Sequence, residues 1–107
     1  MEQGVILLQT KNDKDSIRSF SFQLTQIVER AFKNKIKLVD IIIIYDVKDV
    51  AKTAVREVTK LDAKKRFDSL LIYSPSQICR DAVEYQAFVA LMAQEFKVKV
   101  RYIRSNF

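Results

Sequence analysis

Histidine and tryptophan are absent, and cysteine, glycine and proline occur once each, as Cys79, Gly4 and Pro75. A lone thiol excludes a disulfide framework within the chain. Without histidine or a second thiol, the residue types of zinc sites, of Ser-His and Cys-His pairs and of histidine general bases are missing. One glycine cannot build a Walker loop or a G-x-G-x-x-G turn. We therefore expect neither a metal nor a cofactor. No apolar run approaches the ~18 residues of a membrane span. The start, Met1-Glu2-Gln3-Gly4, lacks a basic segment leading into an apolar one. These absences point to a cytoplasmic protein with no membrane role.

What is present suits one globular domain. The 107 residues are 49% hydrophobic and 30% charged. Nineteen Lys+Arg against thirteen Asp+Glu leave a net charge of +6, which favours nucleic acid or an acidic protein as partner.

Apolar spacing divides the chain into alternating strands and helices. Gly4 to Gln9 is a short apolar run that reads as a buried strand. Asp13 or Asp15 can cap a following helix, whose stripe is Ile17, Phe20, Leu24, Ile27, Val28, Ala31 and Phe32. Leu38 to Tyr45 holds Ile41 to Ile44, four β-branched residues without alternation, which read as a strand covered on both faces. Ala51, Val55, Val58 and Leu61 set a second helix over about 50–65. Ser69 to Tyr73 is a third strand. Ser74, Pro75 and Gln77 read as N-cap, first helical residue and capping-box partner of a third helix running to Phe96. Val98 to Ile103 alternates as an edge strand. The order β-α-β-α-β-α-β predicts a single-domain, three-layer α/β fold with an open, mostly parallel sheet and helices on both faces.

This layout resembles the catalytic domain of the serine recombinases, the resolvase and invertase family, over about residues 5–103. Val5-Ile-Leu-Leu-Gln-Thr-Lys-Asn-Asp13 is similar to the family's first strand and nucleophile loop, A-x-Y-x-R-V-S-T-D. Ser19-Phe-Ser-Phe-Gln23 resembles S-L-x-x-Q, and Tyr45-Asp46 the Y-x-D after the second strand. Lys52 to Val55 stands where R-P-x-L would, with Phe67-Asp68 like the family's F-D. Tyr73 to Arg80 resembles Y-x-x-D-R-L-S-R.

The resemblance implies serine attack on a DNA phosphodiester among phosphate-binding arginines, and here the departures matter. Lys11 occupies the serine position, and an amine would not form the reversible phosphoester. Gln9 replaces the first arginine. Ser76-Gln-Ile-Cys-Arg80 lacks the Asp and first Arg of D-R-L-S-R, and Lys52 loses bidentate phosphate geometry. Groups that act together fail together, so we expect no catalytic residues and no enzyme activity. The family continues into a long dimerisation helix and a helix-turn-helix domain, whereas this sequence ends at Ser105-Asn106-Phe107. The expectation is an inactive recombinase-like domain, of phage or mobile-element origin, that binds, regulates or assembles a protein or DNA complex. The alternative is a plain protein–protein interaction module.

Three groups of residues could carry binding. Lys48, Lys52, Arg56, Lys60 and Lys64 lie four apart and form a drifting basic ridge, a nucleic-acid footprint or a solvated face. Lys11, Asn12, Asp46, Ser74, Ser76, Gln77 and Arg80 gather at the carboxyl ends of the strands, where Lys11, Lys52 and Arg80 could hold a phosphate or the whole set is ordinary capping and surface polarity. Ala87 to Ala93 is an unbroken apolar run around two helical turns. Assigning Val89 and Met92 to the sheet leaves Phe88 and Leu91 to face outward, towards a homodimer or a partner protein. Cys79 reads as a small buried residue.

Overall fold

The computed structural model describes residues 1–105 and 107, so Asn106 lies outside the described residues. The elements are β1 (Gln3–Thr10), α1 (Lys14–Lys33), β2 (Lys37–Tyr45), α2 (Val50–Asp62), β3 (Ser69–Ile72), a single 3-10 turn (Pro75–Gln77), α3 (Ala82–Phe96) and β4 (Lys99–Tyr102). The strands form one sheet, all parallel, in the order β2-β1-β3-β4. The chain steps from β1 to β2 one way along the sheet and then returns the other way through β3 to β4. Right-handed crossovers therefore place α1 on one face and α2 with α3 on the other. This is the three-layer α/β fold expected from the sequence.

Strand alternation divides the core between the two faces. Val5, Leu7, Ile42, Ile44, Leu70 and Ile72 pack with Ala54 and Val58 of α2 and with Phe88 and Met92 of α3. Ile6, Leu8 and Leu71 pack with Ile27 and Ala31 of α1. Each helix starts at an aspartate whose Oδ1 accepts an orphan N–H: Asp13 from Ser16 at 2.8 Å, Asp49 from Lys52 at 3.0 Å, Asp81 from Glu84 at 2.8 Å. A cap of this kind contributes about 1 kcal/mol.

The single glycine is spent on close packing, not on a turn. A Cβ at Gly4 would lie 2.5 Å from Leu71 Cδ1 and 2.7 Å from Ile36 Cγ2. Left-handed backbone falls instead to Lys35 (φ 56°), Asp46 (φ 50°) and Lys97 (φ 58°), each at a steric cost of roughly 1–2 kcal/mol relative to ordinary helical backbone.

Four expectations are corrected. β2 is an edge strand, not one covered on both faces: Ile42 and Ile44 are buried, but Ile41 is 38% and Ile43 52% exposed. The second helix ends at Asp62. Ser74 and Pro75 start only the 3-10 turn, Ser74 makes no side-chain cap bond, and α3 begins seven residues later behind Asp81. Phe88 faces the core at 4% exposure, together with Met92. Within the apolar run of α3 the outward positions are the small Ala87, Ala90 and Ala93, and Val83 is exposed one turn earlier. Among the described residues, no helix is long and apolar enough to cross a membrane.

Candidate functional site

Strand order reverses between β1 and β3, and in open α/β sheets ligands bind at the carboxyl ends beside such a reversal. Here the loop after β1 meets the segment after β3. A depression of about 200 Å³ lies between them, lined by Gln9, Thr10, Asp15, Ser16, Ser19, Gln23 and Gln77. β1 delivers Gln9 and Thr10. The Asp13 cap fixes the first turn of α1, which presents Ser16; Ser19 follows on the next turn and Gln23, buried, one turn beyond it. Gln77 closes the site from the 3-10 turn.

The chemistry of this lining is narrow. Amides and hydroxyls donate and accept hydrogen bonds, but Asp15 is the only charged side chain in the depression. The Ser16 N–H and hydroxyl both donate to Asp13, at 2.8 and 3.0 Å, and hold its carboxyl below the usual range. Asp13 is therefore a helix cap, with both carboxylate oxygens engaged by Ser16. The Thr10 hydroxyl is aimed at the Lys11 carbonyl, 3.5 Å away. Among the described residues no group of three or more Cys, Asp or Glu converges as a metal site requires.

A second depression, of about 260 Å³, lies on the other side of Gln77, where Lys48 and Asp49 meet Ser76 to Arg80 and Glu84. Arg80 is already engaged. Its Nε donates to Glu84 Oε2 at 3.1 Å, and its backbone N–H donates to the same oxygen at 3.2 Å. That carboxylate raises the guanidinium pKa further above its usual value. Cys79 is buried here; burial first, then Glu84, Asp81 and Asp49, pushes its thiol up to about 11. The thiolate is thus unavailable at neutral pH.

The three cations foreseen as one phosphate pocket do not share a depression. Lys52 lines a groove of about 280 Å³ between α2 and α3, which shares Asp49 and Glu84 with the depression holding Arg80. Lys11 is exposed after β1 and lines neither. The acidic residues between Lys52 and Arg80 oppose a phosphate there.

The basic ridge does form. Lys48 precedes α2, Lys52, Arg56 and Lys60 follow one another along it, and Lys64 lies just past its end, all exposed. Lys60 stands 3.7 Å from Glu57, a surface pair of little energetic weight. Leu91 is half-buried in the α2–α3 groove, beside Ala51, Val55, Ala87 and the core residue Phe88.

The sequence places Gln77 at this sheet edge, and the resemblance puts Gln9, Ser19 and Gln23 in its motifs, but Asp15 and Ser16 join them without such a sign. Their signal is the helical spacing of Ser16, Ser19 and Gln23 beside the stronger apolar stripe. Compared with protein-family models, curated proteins and solved structures, the chain matches none.

Proposed function

We propose that this chain is a catalytically inactive domain of the serine-recombinase type that binds a nucleic-acid backbone instead of cutting it. The observation that carries this reading is the lining of the depression at the strand-order reversal. Gln9, Ser19, Gln23 and Gln77 occupy positions that the resemblance assigns to catalytic-site motifs, and they meet in one place. Glutamines stand at two positions where the resemblance would have arginines, so the depression has lost the cations that a phosphoryl transition state needs. Lys11, at the nucleophile position, lies outside its lining. Binding falls to the exposed ridge on α2, whose cations follow one helix face as phosphate contacts require.

Duplex DNA binding across a salt series tests the reading. Affinity should fall steeply with salt, and Lys52→Glu combined with Lys60→Glu should weaken binding on every sequence and flatten the slope. No binding at low salt would remove the nucleic-acid role. A covalent protein–DNA adduct that disappears in Thr10→Ala would overturn the inactive assignment. A protein-interaction module with no nucleic-acid role is the second reading, favoured by the partly apolar α2–α3 groove around Leu91.

A further inference from the structure

The sheet is covered unequally. Two helices roof one face, and α1 alone lies over the other. With Ile27 at the buried centre of α1, a turn of about 100° per residue puts Leu24, Ile17, Val28 and Phe32 on one flank. The opposite flank carries Phe22 and Arg30. Phe22 meets Tyr73, just past β3, edge to face at 6.3 Å, and Arg30 borders β4. The apolar flank therefore faces β2. Ile41, Ile43 and Tyr45 of β2 pair with Ile6, Leu8 and Thr10, and so share the α1 side of the sheet. Ile43 is 52%, Tyr45 55%, Ile17 59% and Phe32 84% exposed.

The same edge leaves backbone groups open. The Asp46 N–H donates to the Thr10 carbonyl at 2.9 Å. By strand alternation Ile42 and Ile44 also turn their backbone groups to β1, and Ile41, Ile43 and Tyr45 turn theirs outward. The Ile41 N–H is taken by Asp40 Oδ1 at 2.7 Å, and Lys65 stands 3.3 Å from the same carboxylate group. Charge thus blunts the lower half of the edge, as edge strands require. From Ile41 to Tyr45 there is no charged side chain, and among the described residues no strand lies beyond β2.

We propose that β2 pairs antiparallel with β2 of a second copy of this chain, about a two-fold axis passing near Ile43. The edge is self-complementary in that arrangement. Ile43 meets Ile43 of the second copy, exchanging N–H and C=O, and Tyr45 meets Ile41, an aromatic opposite a β-branched residue. The flanks bearing Ile17, Val28 and Phe32 then close over the joined strands from both copies. Six side chains between 38% and 84% exposed supply the apolar area, on the scale of the ~800 Å² each partner gives to a stable interface. An acidic foreign partner would seek cations, and the ridge that offers them lies with α2, on the opposite face of the sheet. Lys60 and Lys64 border the edge from that side, so the two copies repel weakly and salt should tighten the pairing. This interface is separate from α3 and does not depend on DNA binding.

Sedimentation of the full chain over a wide concentration range tests the proposal. The parent should dimerise, more tightly at higher salt. Ile43→Lys and Phe32→Glu should each raise the dissociation constant by about thirtyfold or more, the scale of losing a central anchor. Both positions are exposed, so circular dichroism should be unchanged. Oxidised Ile43→Cys should yield a disulfide-linked dimer, since hydrogen-bonded antiparallel partners sit ~5.5 Å apart at Cα, within disulfide reach. A parent that stays monomeric overturns the proposal. So does a dimer that survives both substitutions, or one that only Leu91→Glu dissociates.

Discussion

On one face of the sheet, α2 and α3 bury Ala54, Val58, Phe88 and Met92 and turn lysines and alanines to solvent. On the other, α1 buries Ile27 and Ala31 but also turns Ile17, Val28 and Phe32 outward. The difference is one of stripe width against available cover. The apolar stripe of α2 is narrow enough for the strands beneath it, so its remaining circumference is free to be basic. The stripe of α1 is wider than the strands it lies on, and the surplus falls beside an edge strand that is itself apolar. A large exposed apolar patch of this kind is uncommon on a monomer.

Core truncations should separate the two regions most strongly. Phe88→Ala should cost about 3–5 kcal/mol in urea unfolding. Phe32→Ala, measured at dilution where the chain is monomeric, should stay within about 0.5 kcal/mol, as exposed positions do. Comparable losses at both sites would dissolve the contrast. Next in size is Gly4→Ala. The new methyl would press on Leu71 and Ile36, both in the α1-side cluster, and should cost about 1–3 kcal/mol. That loss would show the α1 side to be tightly packed at its centre and open only at its flank.

Smaller effects compare the helix ends. Lys35 follows α1 and Lys97 caps α3, both left-handed. Lys35→Gly and Lys97→Gly should each stabilise the fold by about 1 kcal/mol in thermal unfolding. Unequal gains would mean that one helix end is held by something other than its backbone geometry.

The smallest effect is pH-dependent. Arg101 of β4 donates through Nε and Nη2 to Glu2 at 2.7 and 2.8 Å, tying β4 to the start of the chain. The guanidinium holds the Glu2 carboxyl below its ordinary value of 4.5. A depressed carboxyl contributes stability fully above its unfolded pKa and loses it as pH falls through the folded one. Arg101→Met should therefore lower stability by up to about 1 kcal/mol near neutrality. The difference from the parent should shrink progressively below pH 4.5. A gap that persists in acid would assign the role of Arg101 to packing.

Much of this fold was legible in the sequence because it rests on local signals. The Asp13 cap, the apolar runs of β1 and β3 and the periodicity of α2 each follow from neighbouring residues. Strand order does not. Ile41 to Ile44 reads as a doubly covered strand, since composition reports that both sides are apolar and not what lies against them. Ser74-Pro75-Ser76-Gln77 carries a helix-start signature, yet the chain bends again before Asp81 supplies the working cap. The sequence leaves the orientation of α3 open at Phe88, because a stripe through Val89 and Met92 is as periodic as one through Phe88 and Met92. Tertiary packing chose the second and left alanines outside. At the candidate site, Gln77 could be assigned from its position after a strand, whereas Ser16, Ser19 and Gln23 join it only because α1 starts beside the end of β1.

Amide hydrogen exchange along β2 tests the central contrast most directly. Ile42 and Ile44 face β1 and should exchange slowly at any protein concentration. Ile43 and Tyr45 face the open edge, so they should exchange rapidly in dilute protein and slowly in concentrated protein, as a second copy pairs with them. Rapid exchange at Ile43 and Tyr45 at every concentration would contradict the account, leaving the α1 side open and the edge unpartnered.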